Sequence, residues 1–114
     1  MLVDNELYPG TPMSLHCKSG SKDLGLQILN YQESFYWDFY DGRLWVTKLY
    51  WCSMRWRDGK GRYNSNSFVI YDQDKRYSEP MYRCDECRWT ARGDGIYYFW
   101  DGKYVRAYQW NITA

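Results

Sequence analysis

Four residues of this 114-residue sequence could take part in several different kinds of chemistry: Cys17, Cys52, Cys84 and Cys87. The last two stand in the stretch CDECRW, whose spacing could hold half of a metal site, shuttle electrons or supply two disulfides. A zinc site needs a second close pair or two histidines, whereas His16 is the sole histidine. A thioredoxin-like pair needs the amino end of a helix, and none is predicted here. Two structural disulfides are the favoured interpretation, and a site in which all four thiols bind zinc is the alternative.

The pairing of these cysteines follows from the strand character of residues 82–91. Residues three apart on a strand point to opposite faces unless a bulge or turn intervenes. We therefore expect Cys84 and Cys87 each to bridge one of Cys17 and Cys52. Which of the two bridges which stays open at this point.

Other residues capable of chemistry give weaker signals. His16 could act as a general base, but no nucleophile with a third orienting group is recognisable around it in the sequence. We expect no enzymatic activity, no catalytic residues, no metal and no cofactor. Asn111-Ile112-Thr113 is an N-glycosylation sequon, so Asn111 is predicted to carry a glycan if the chain passes through the secretory pathway.

Composition limits the classes of protein to which the chain can belong. Its length is that of one domain, and residues 1–114 are treated as a single domain. Hydrophobic residues make up 45% and aromatic residues 21%, which excludes a disordered chain. The net charge is +1 with no basic cluster, which disfavours nucleic-acid binding. No apolar run approaches the roughly 20 residues that span a bilayer.

The elements that must position these residues are predicted to be strands. The hydrophobic period is close to two almost everywhere, and aromatic stretches such as SFYWDFY and LWVTKLYWCSMRW favour a pleated sheet. Turn signals separate the strands, including Pro9-Gly10, Ser19-Gly20, Asp41-Gly42, Asp58-Gly59, Asp94-Gly95 and Asp101-Gly102. The strands are predicted at residues 14–18, 25–29, 34–40, 44–56, 67–71, 82–91, 96–100 and 106–110. The fold class is all-β, a small antiparallel sandwich of about eight strands with two disulfides.

Two polar segments, residues 57–67 and 72–80, are predicted to be the longest loops. Loops on a rigid sandwich commonly bind partners, so a partner-binding set is assigned to the first of them and to the turn at Asp94. The predicted contacts are Arg57, Lys60, Arg62, Asn64 and Asp94. Arg92-Gly93-Asp94 spells an integrin-type tripeptide, which is interpreted as a hairpin turn.

The many tryptophans raise a second possible function, since aromatic rings stack on sugars. A carbohydrate-binding module for cell-wall polysaccharide would need exposed, coplanar rings on one sheet. Mostly buried tryptophans would count against it, because aromatic residues dominate small cores. The tryptophans in predicted strands include Trp37, Trp51, Trp56, Trp89 and Trp100.

Five stretches in order also carry a resemblance to a known family. They are LHCKSGSKDLGLQIL, SFYWDFY, LYWCSMRW, CDECRW and RGDGIYYF, which begin at residues 15, 34, 49, 84 and 92. The chain resembles the plant self-incompatibility S-protein homologues, which include the stigmatic self-incompatibility determinant of poppy. Lys48 departs from the small hydroxyl residue that the family tends to have before LYWC, which leaves the identity of any partner open.

The resemblance implies a secreted, disulfide-bonded β-sandwich, made with a cleavable signal peptide that is absent from this chain. It further implies an extracellular ligand for a cell-surface receptor, active in cell–cell recognition. We expect such a protein to be a monomer that neither inserts into membranes nor binds nucleic acid.

Overall fold

The computed structural model describes residues 1–20, 22–38, 49–76, 78–84 and 86–113. Within these ranges the chain forms ten strands and two 3-10 helices, Gln73–Lys75 and Pro80–Tyr82. The strands are β1 (Leu2–Asn5), β2 (Met13–Ser19), β3 (Asp23–Leu29), β4 (Ser34–Tyr36), β5 (Leu49–Arg57), β6 (Tyr63–Asp72), β7 (Arg88–Arg92), β8 (Gly95–Trp100), β9 (Lys103–Tyr108) and β10 (Asn111–Thr113). None of the helices found there is long and apolar enough to cross a membrane.

The strands assemble into two sheets of five. One, here called the β7 sheet, has the order β4-β1-β7-β8-β9, and the other, the β5 sheet, has the order β10-β6-β5-β2-β3. Neighbouring strands are antiparallel, except that β1 and β7 run parallel. The prediction of an all-β sandwich is confirmed, with more strands than the eight expected and with one parallel pair.

Alternation along the strands builds the core between the sheets. On β5, Cys52, Met54 and Trp56 are buried, whereas Ser53 and Arg55 are exposed. On β7, Trp89 and Ala91 are fully buried on the core side, and of their neighbours on the other face Thr90 is buried too, whereas Arg88 is exposed. Since successive side chains of a strand point to opposite faces, each sheet gives one face to the core and keeps one outer face.

Several predicted boundaries differ from the structure. Residues 63–67 belong to β6, so the first long loop is only a hairpin turn at residues 58–62. β1 and β10 were missed because each is too short to show alternation, and β9 begins at Lys103 rather than at residue 106. The predicted turn at Asp41-Gly42, the departure at Lys48 and parts of three predicted strands lie outside the described residues.

The predicted disulfide pairing was wrong. Cys17 bonds to Cys52, and Cys84 bonds to Cys87. Residues 83, 84, 86 and 87 are not in a strand: β7 begins only at Arg88, and the Cα atoms of Cys84 and Cys87 lie 5.1 Å apart. The opposite-face argument fails because its premise, an extended backbone through CDECRW, does not hold.

Candidate functional site

The predicted partner-binding residues gather at one end of the sandwich, here called the loop end. It comprises the β1–β2 loop (residues 6–12), the β5–β6 turn (residues 58–62), the β7–β8 turn (residues 93–94) and the β9–β10 link (residues 109–110). Strand directions explain this convergence. β5 and β7 both finish at this end, where Trp56 pairs with Met13 and Arg92 pairs with Gly95.

Three aromatic side chains connect these loops. The ring of Trp56 lies 5.9 Å from that of Tyr8 and 5.8 Å from that of Trp110, between ring centroids. The indole Nε1 of Trp110 donates to the carbonyl oxygen of Arg92 at 2.7 Å. The hydroxyl of Tyr8 lies over Gly93 so closely that any side chain at that position would overlap it. The β5–β6 and β7–β8 turns are thus held against one aromatic cluster.

The β5–β6 turn is organised by the carboxylate of Asp58. Its Oδ1 accepts from the amides of Lys60 and Arg62 at 2.9 and 3.0 Å. Its Oδ2 accepts from Nε of Arg62 at 3.0 Å and from Nδ2 of Asn64 at 3.2 Å. Desolvation raises the pKa of Asp58, but these four hydrogen bonds together outweigh it and lower the pKa to about 2.

The predicted contacts in this turn have different environments. Lys60 and Arg57 are exposed, and the Arg62 side chain is 43% exposed. Asn64 is only 3% exposed, and its Nδ2 donates to Asp58 and to the carbonyl oxygen of Arg62. The structure therefore assigns Asn64 to holding the turn, contrary to the expectation of a partner contact.

The turn of Arg92-Gly93-Asp94 does not present its two charges as a free tripeptide. The guanidinium of Arg92 folds back over the rings of Tyr104 and Tyr97, at 4.5 and 4.9 Å from their centroids. Asp94 is exposed, and its Oδ2 accepts from the hydroxyl of Tyr97 at 2.7 Å. That hydrogen bond raises the pKa of Tyr97. Asp94 is thus the acidic group that this turn offers to solvent.

Asn5 is an anchor of the loop end that the sequence analysis missed. It is fully buried, and its Nδ2 donates to the carbonyl oxygens of Thr11 and Leu29 at 2.9 and 2.8 Å. Its Oδ1 accepts from the amide of Leu7 at 2.9 Å. An asparagine next to the turn signal Pro9-Gly10 was the available clue, since such residues often bond to nearby backbone.

The remaining candidates lie elsewhere. His16 is on the outer face of the β5 sheet, where its Nε2 lies 2.6 Å from Oδ1 of Asp23 and closes the β2–β3 hairpin. Among the described residues, no group of three or more His, Cys, Asp and Glu side chains is arranged to hold a metal. Asn111 is exposed on the edge strand β10. Its glycosylation stays a prediction, to be checked by the mass of the C-terminal peptide from plant-secreted protein.

The burial of the tryptophans counts against a sugar-binding surface built from tryptophan rings. Trp37, Trp56 and Trp89 are buried in the core. Trp51 is partly buried on β5, and Trp100 is 37% exposed at the end of β8. These rings therefore do not form one exposed row on a sheet.

Comparison with known proteins identifies relatives of the chain. A family model described as plant self-incompatibility protein S1 matches residues 1–110. S-protein homolog 5 of Arabidopsis thaliana is 30% identical over 104 residues, which cover 91% of this chain and 72% of the homolog. S-protein homolog 74 of the same plant is 37% identical over 97 residues, which cover 83% of this chain and 58% of the homolog. The chain thus spans only part of the length of these relatives.

A solved structure shares the fold. It comes from the SPH (self-incompatibility protein homologue) proteins, described as a widespread family of small, highly stable, secreted proteins from plants. The TM-score is 0.53 at 21% sequence identity, and the match covers 96% of this chain and 90% of that one. At that identity the likeness supports the sandwich architecture alone.

Proposed function

Because this chain belongs to the plant self-incompatibility protein S1 family, we propose that it is an extracellular ligand whose loop end binds a cell-surface receptor. The family resemblance inferred from the five sequence stretches is confirmed, and the family consists of small secreted plant proteins. The proposal rests on one observation: the exposed charged residues of the loop end lie on turns whose backbone is held by buried or partly buried groups beneath them.

Preorganisation is the physical argument for recognition at this end. Binding costs less conformational entropy when the contacting groups are already ordered in the free protein. Asp58 fixes the β5–β6 turn through four hydrogen bonds, and Trp110 holds the β7–β8 turn through its hydrogen bond to the carbonyl oxygen of Arg92. The exposed residues Lys60 and Asp94 can therefore vary with little effect on the scaffold.

The proposed contacts carry both signs of charge. Arg57, Lys60 and Arg62 supply cations on one turn, and Asp94 supplies an anion on the other. Complementary charges mainly set the association rate and the choice of partner. A receptor surface with an acidic patch beside a basic one would fit this arrangement.

The experiment is a competition assay with labelled protein on intact plant protoplasts. We expect saturable binding that unlabelled protein displaces, and displacement by the Lys60→Glu/Asp94→Lys variant should be weaker by about tenfold or more. Lys22→Glu/Glu86→Lys is the matched control, because it makes the same pair of charge reversals at exposed residues of the opposite end, in the β2–β3 turn and just before β7.

Two results would contradict the proposal in different ways. Binding that is not saturable would contradict a receptor ligand of any kind. If binding is saturable but the charge-reversal variant displaces the labelled protein just as effectively as the unlabelled parent does, the receptor contact lies away from the loop end. Thermal melts of both variants check that the substitutions leave the fold intact.

A further inference from the structure

The outer face of the β7 sheet carries a cluster of arginines and aromatic rings that borders the β7–β8 turn of the loop end. It is here called the Arg88 face and consists of Arg88, Arg92, Tyr97, Phe99, Tyr104 and Arg106. The pairing register places these side chains together: Tyr97 is opposite Arg106, and Phe99 is opposite Tyr104. Their strand neighbours Trp89, Ile96 and Tyr98 point into the core.

Two of the three guanidinium groups of this face, those of Arg88 and Arg92, lie over aromatic rings. Arg92 lies over Tyr104 and Tyr97, and the Cζ of Arg88 is 6.0 Å from the centroid of Tyr104. The rings of Phe99 and Tyr104 meet edge to face with centroids 5.2 Å apart. Stacked arginines lose less freedom on binding than flexible lysines, so the face is preorganised for anions.

A buried carboxylate supports the face from below. Nε of Arg88 donates to Oδ2 of Asp4 at 2.9 Å, and the Asp4 side chain is only 7% exposed. The Arg88 side chain nevertheless stays 45% exposed. The pair of Arg92 with Glu6 is longer, at 3.6 Å between Nε and Oε2, and such surface pairs are weak. Both guanidinium groups can therefore meet a ligand.

The spacing of the cations favours a polymer over a small anion. Arg88 and Arg92 are four residues apart on β7, about 13 Å along the strand. Arg106 lies on β9, two strands away from β7, which is about 10 Å across the sheet. No single carboxylate spans such distances, whereas a chain with repeated carboxylates meets all three.

The position of the face in the sheet favours a sugar chain over a peptide. Peptides commonly bind by adding a strand to a free edge or by placing a helix in an apolar groove. β7 and β8 are paired on both sides, so the centre of the face offers side chains and no free backbone edge. Pyranose rings can lay their C–H groups on aromatic rings while their carboxylates reach the arginines.

We propose that the Arg88 face binds an acidic polysaccharide built of uronate sugars, with Arg92 and Arg106 contacting carboxylates and the exposed ring of Phe99 contacting a sugar ring, while Tyr104 holds Arg92 in place. This proposal does not rest on the receptor contact proposed at the loop end, but the two surfaces adjoin: Nη1 of Arg106 donates to the carbonyl oxygen of Asp94 at 3.5 Å, and the hydroxyl of Tyr97 donates to its Oδ2. Binding there would hold the secreted protein on an acidic glycan matrix.

The test uses polygalacturonate as the probe and measures affinity by titration with the purified, disulfide-bonded protein. We expect binding that weakens as salt screens the charges. Arg92→Gln/Arg106→Gln should lower the affinity by about tenfold or more, and it leaves the Arg88–Asp4 pair intact. Phe99→Ala should also weaken binding, because it removes the ring that contacts the sugar. The fold should survive this substitution, since Phe99 is exposed and is not one of the buried core residues.

The matched control is Lys18→Gln/Arg55→Gln, which removes the same charge from the outer face of the β5 sheet. This variant should bind polygalacturonate like the parent. A neutral galactan should not bind, and poly-glutamate, which has carboxylates but no sugar rings, should bind much more weakly.

Several results would overturn the proposal: no binding of polygalacturonate by the parent, equal losses in the control and in Arg92→Gln/Arg106→Gln, or an unchanged affinity in Phe99→Ala. Equal binding of poly-glutamate would reduce the face to a general polyanion surface and would also overturn it. Receptor binding to protoplasts can survive each of these results, so the two proposals fail separately.

Discussion

The two disulfides stabilise different levels of the structure. Cys17 and Cys52 lie directly opposite each other on β2 and β5, 35 residues apart in sequence, and both are buried. Cys84 and Cys87 are three residues apart and close a turn just before β7. The first links neighbouring strands of the β5 sheet, and the second shapes one local segment.

Two disulfides that are chemically identical therefore need not contribute equally to the free energy of unfolding. A cross-link stabilises mainly by restricting the unfolded chain, and the restriction grows with the length of the closed loop. The separation of 35 residues at Cys17–Cys52 against three at Cys84–Cys87 therefore predicts a larger contribution from the buried bond. The local bond instead positions the backbone, where the carbonyl oxygen of Cys87 accepts from the amide of Leu2.

The largest expected effect is loss of the Cys17–Cys52 bond. Cys17→Ala/Cys52→Ala should lower the free energy of unfolding by about 4 kcal/mol, from the entropy of the closed loop. Urea unfolding measures it. A loss no larger than that caused by removing the other disulfide would contradict the comparison.

The second effect is smaller and local. Cys84→Ala/Cys87→Ala should cost about 2 kcal/mol by the same loop-entropy argument. Hydrogen exchange should quicken at the amide of Leu2, which bonds to Cys87, while amides of β2 and β5 keep their protection.

Mild reduction sharpens this second prediction. Cys84 is partly exposed, whereas Cys17 and Cys52 are buried, and access limits thiol–disulfide exchange. Alkylation after brief treatment with reductant should therefore label Cys84 and Cys87 first. Simultaneous labelling of all four thiols would show that the two bonds open together.

The smallest effect concerns a turn that is closed without a covalent bond. The pKa of Asp58 is lowered from 3.8 to about 2, so its contribution is present above pH 3.8 and is lost as the pH falls through 2. Unlike the loop at Cys84–Cys87, the β5–β6 turn should therefore loosen in acid.

Asp58→Asn tests this expectation, with Asp101→Asn as the matched control, since asparagine tolerates the positive φ of Asp101. Stability measured between pH 4 and pH 2 should fall less in Asp58→Asn than in the control. Equal slopes in the two variants would show that the hydrogen bonds of Asp58 do not stabilise the turn.

Much of the scaffold was predictable because its signals are local. Alternation identified β2, aromatic and β-branched composition identified β5, and Asp101-Gly102 predicted a hairpin turn that the structure confirms with φ values of +52° and +75°. The exposed members of the loop end, Lys60 and Asp94, were also identified from polar turn composition. These features depend on residues close together in sequence, whose preferences survive folding.

The errors arose where distant contacts override local preference. Residues 63–67 are polar like a loop, yet they form a strand: all five pair with β5, and residues 63–65 also pair with β10. The sequence does not reveal that Asn64 is buried, since its burial depends on the Asp58 carboxylate and on the sheet beneath it. Asn64 is for this reason predicted as a partner contact. The stretch CDECRW is predicted to be extended, because no local signal in the sequence marks the turn before Arg88.

The sequence by itself determined the all-β class, the family and the presence of disulfide-forming cysteines, since composition, spacing and motif order carry that information. Only the tertiary structure decided which cysteines pair, that Asn5 anchors the loop end, and that Arg92 belongs to a face with Tyr104 and Arg106. The physical reason is that strand order and register bring together residues that are far apart along the chain. Neither of these can be calculated from the period of a single strand.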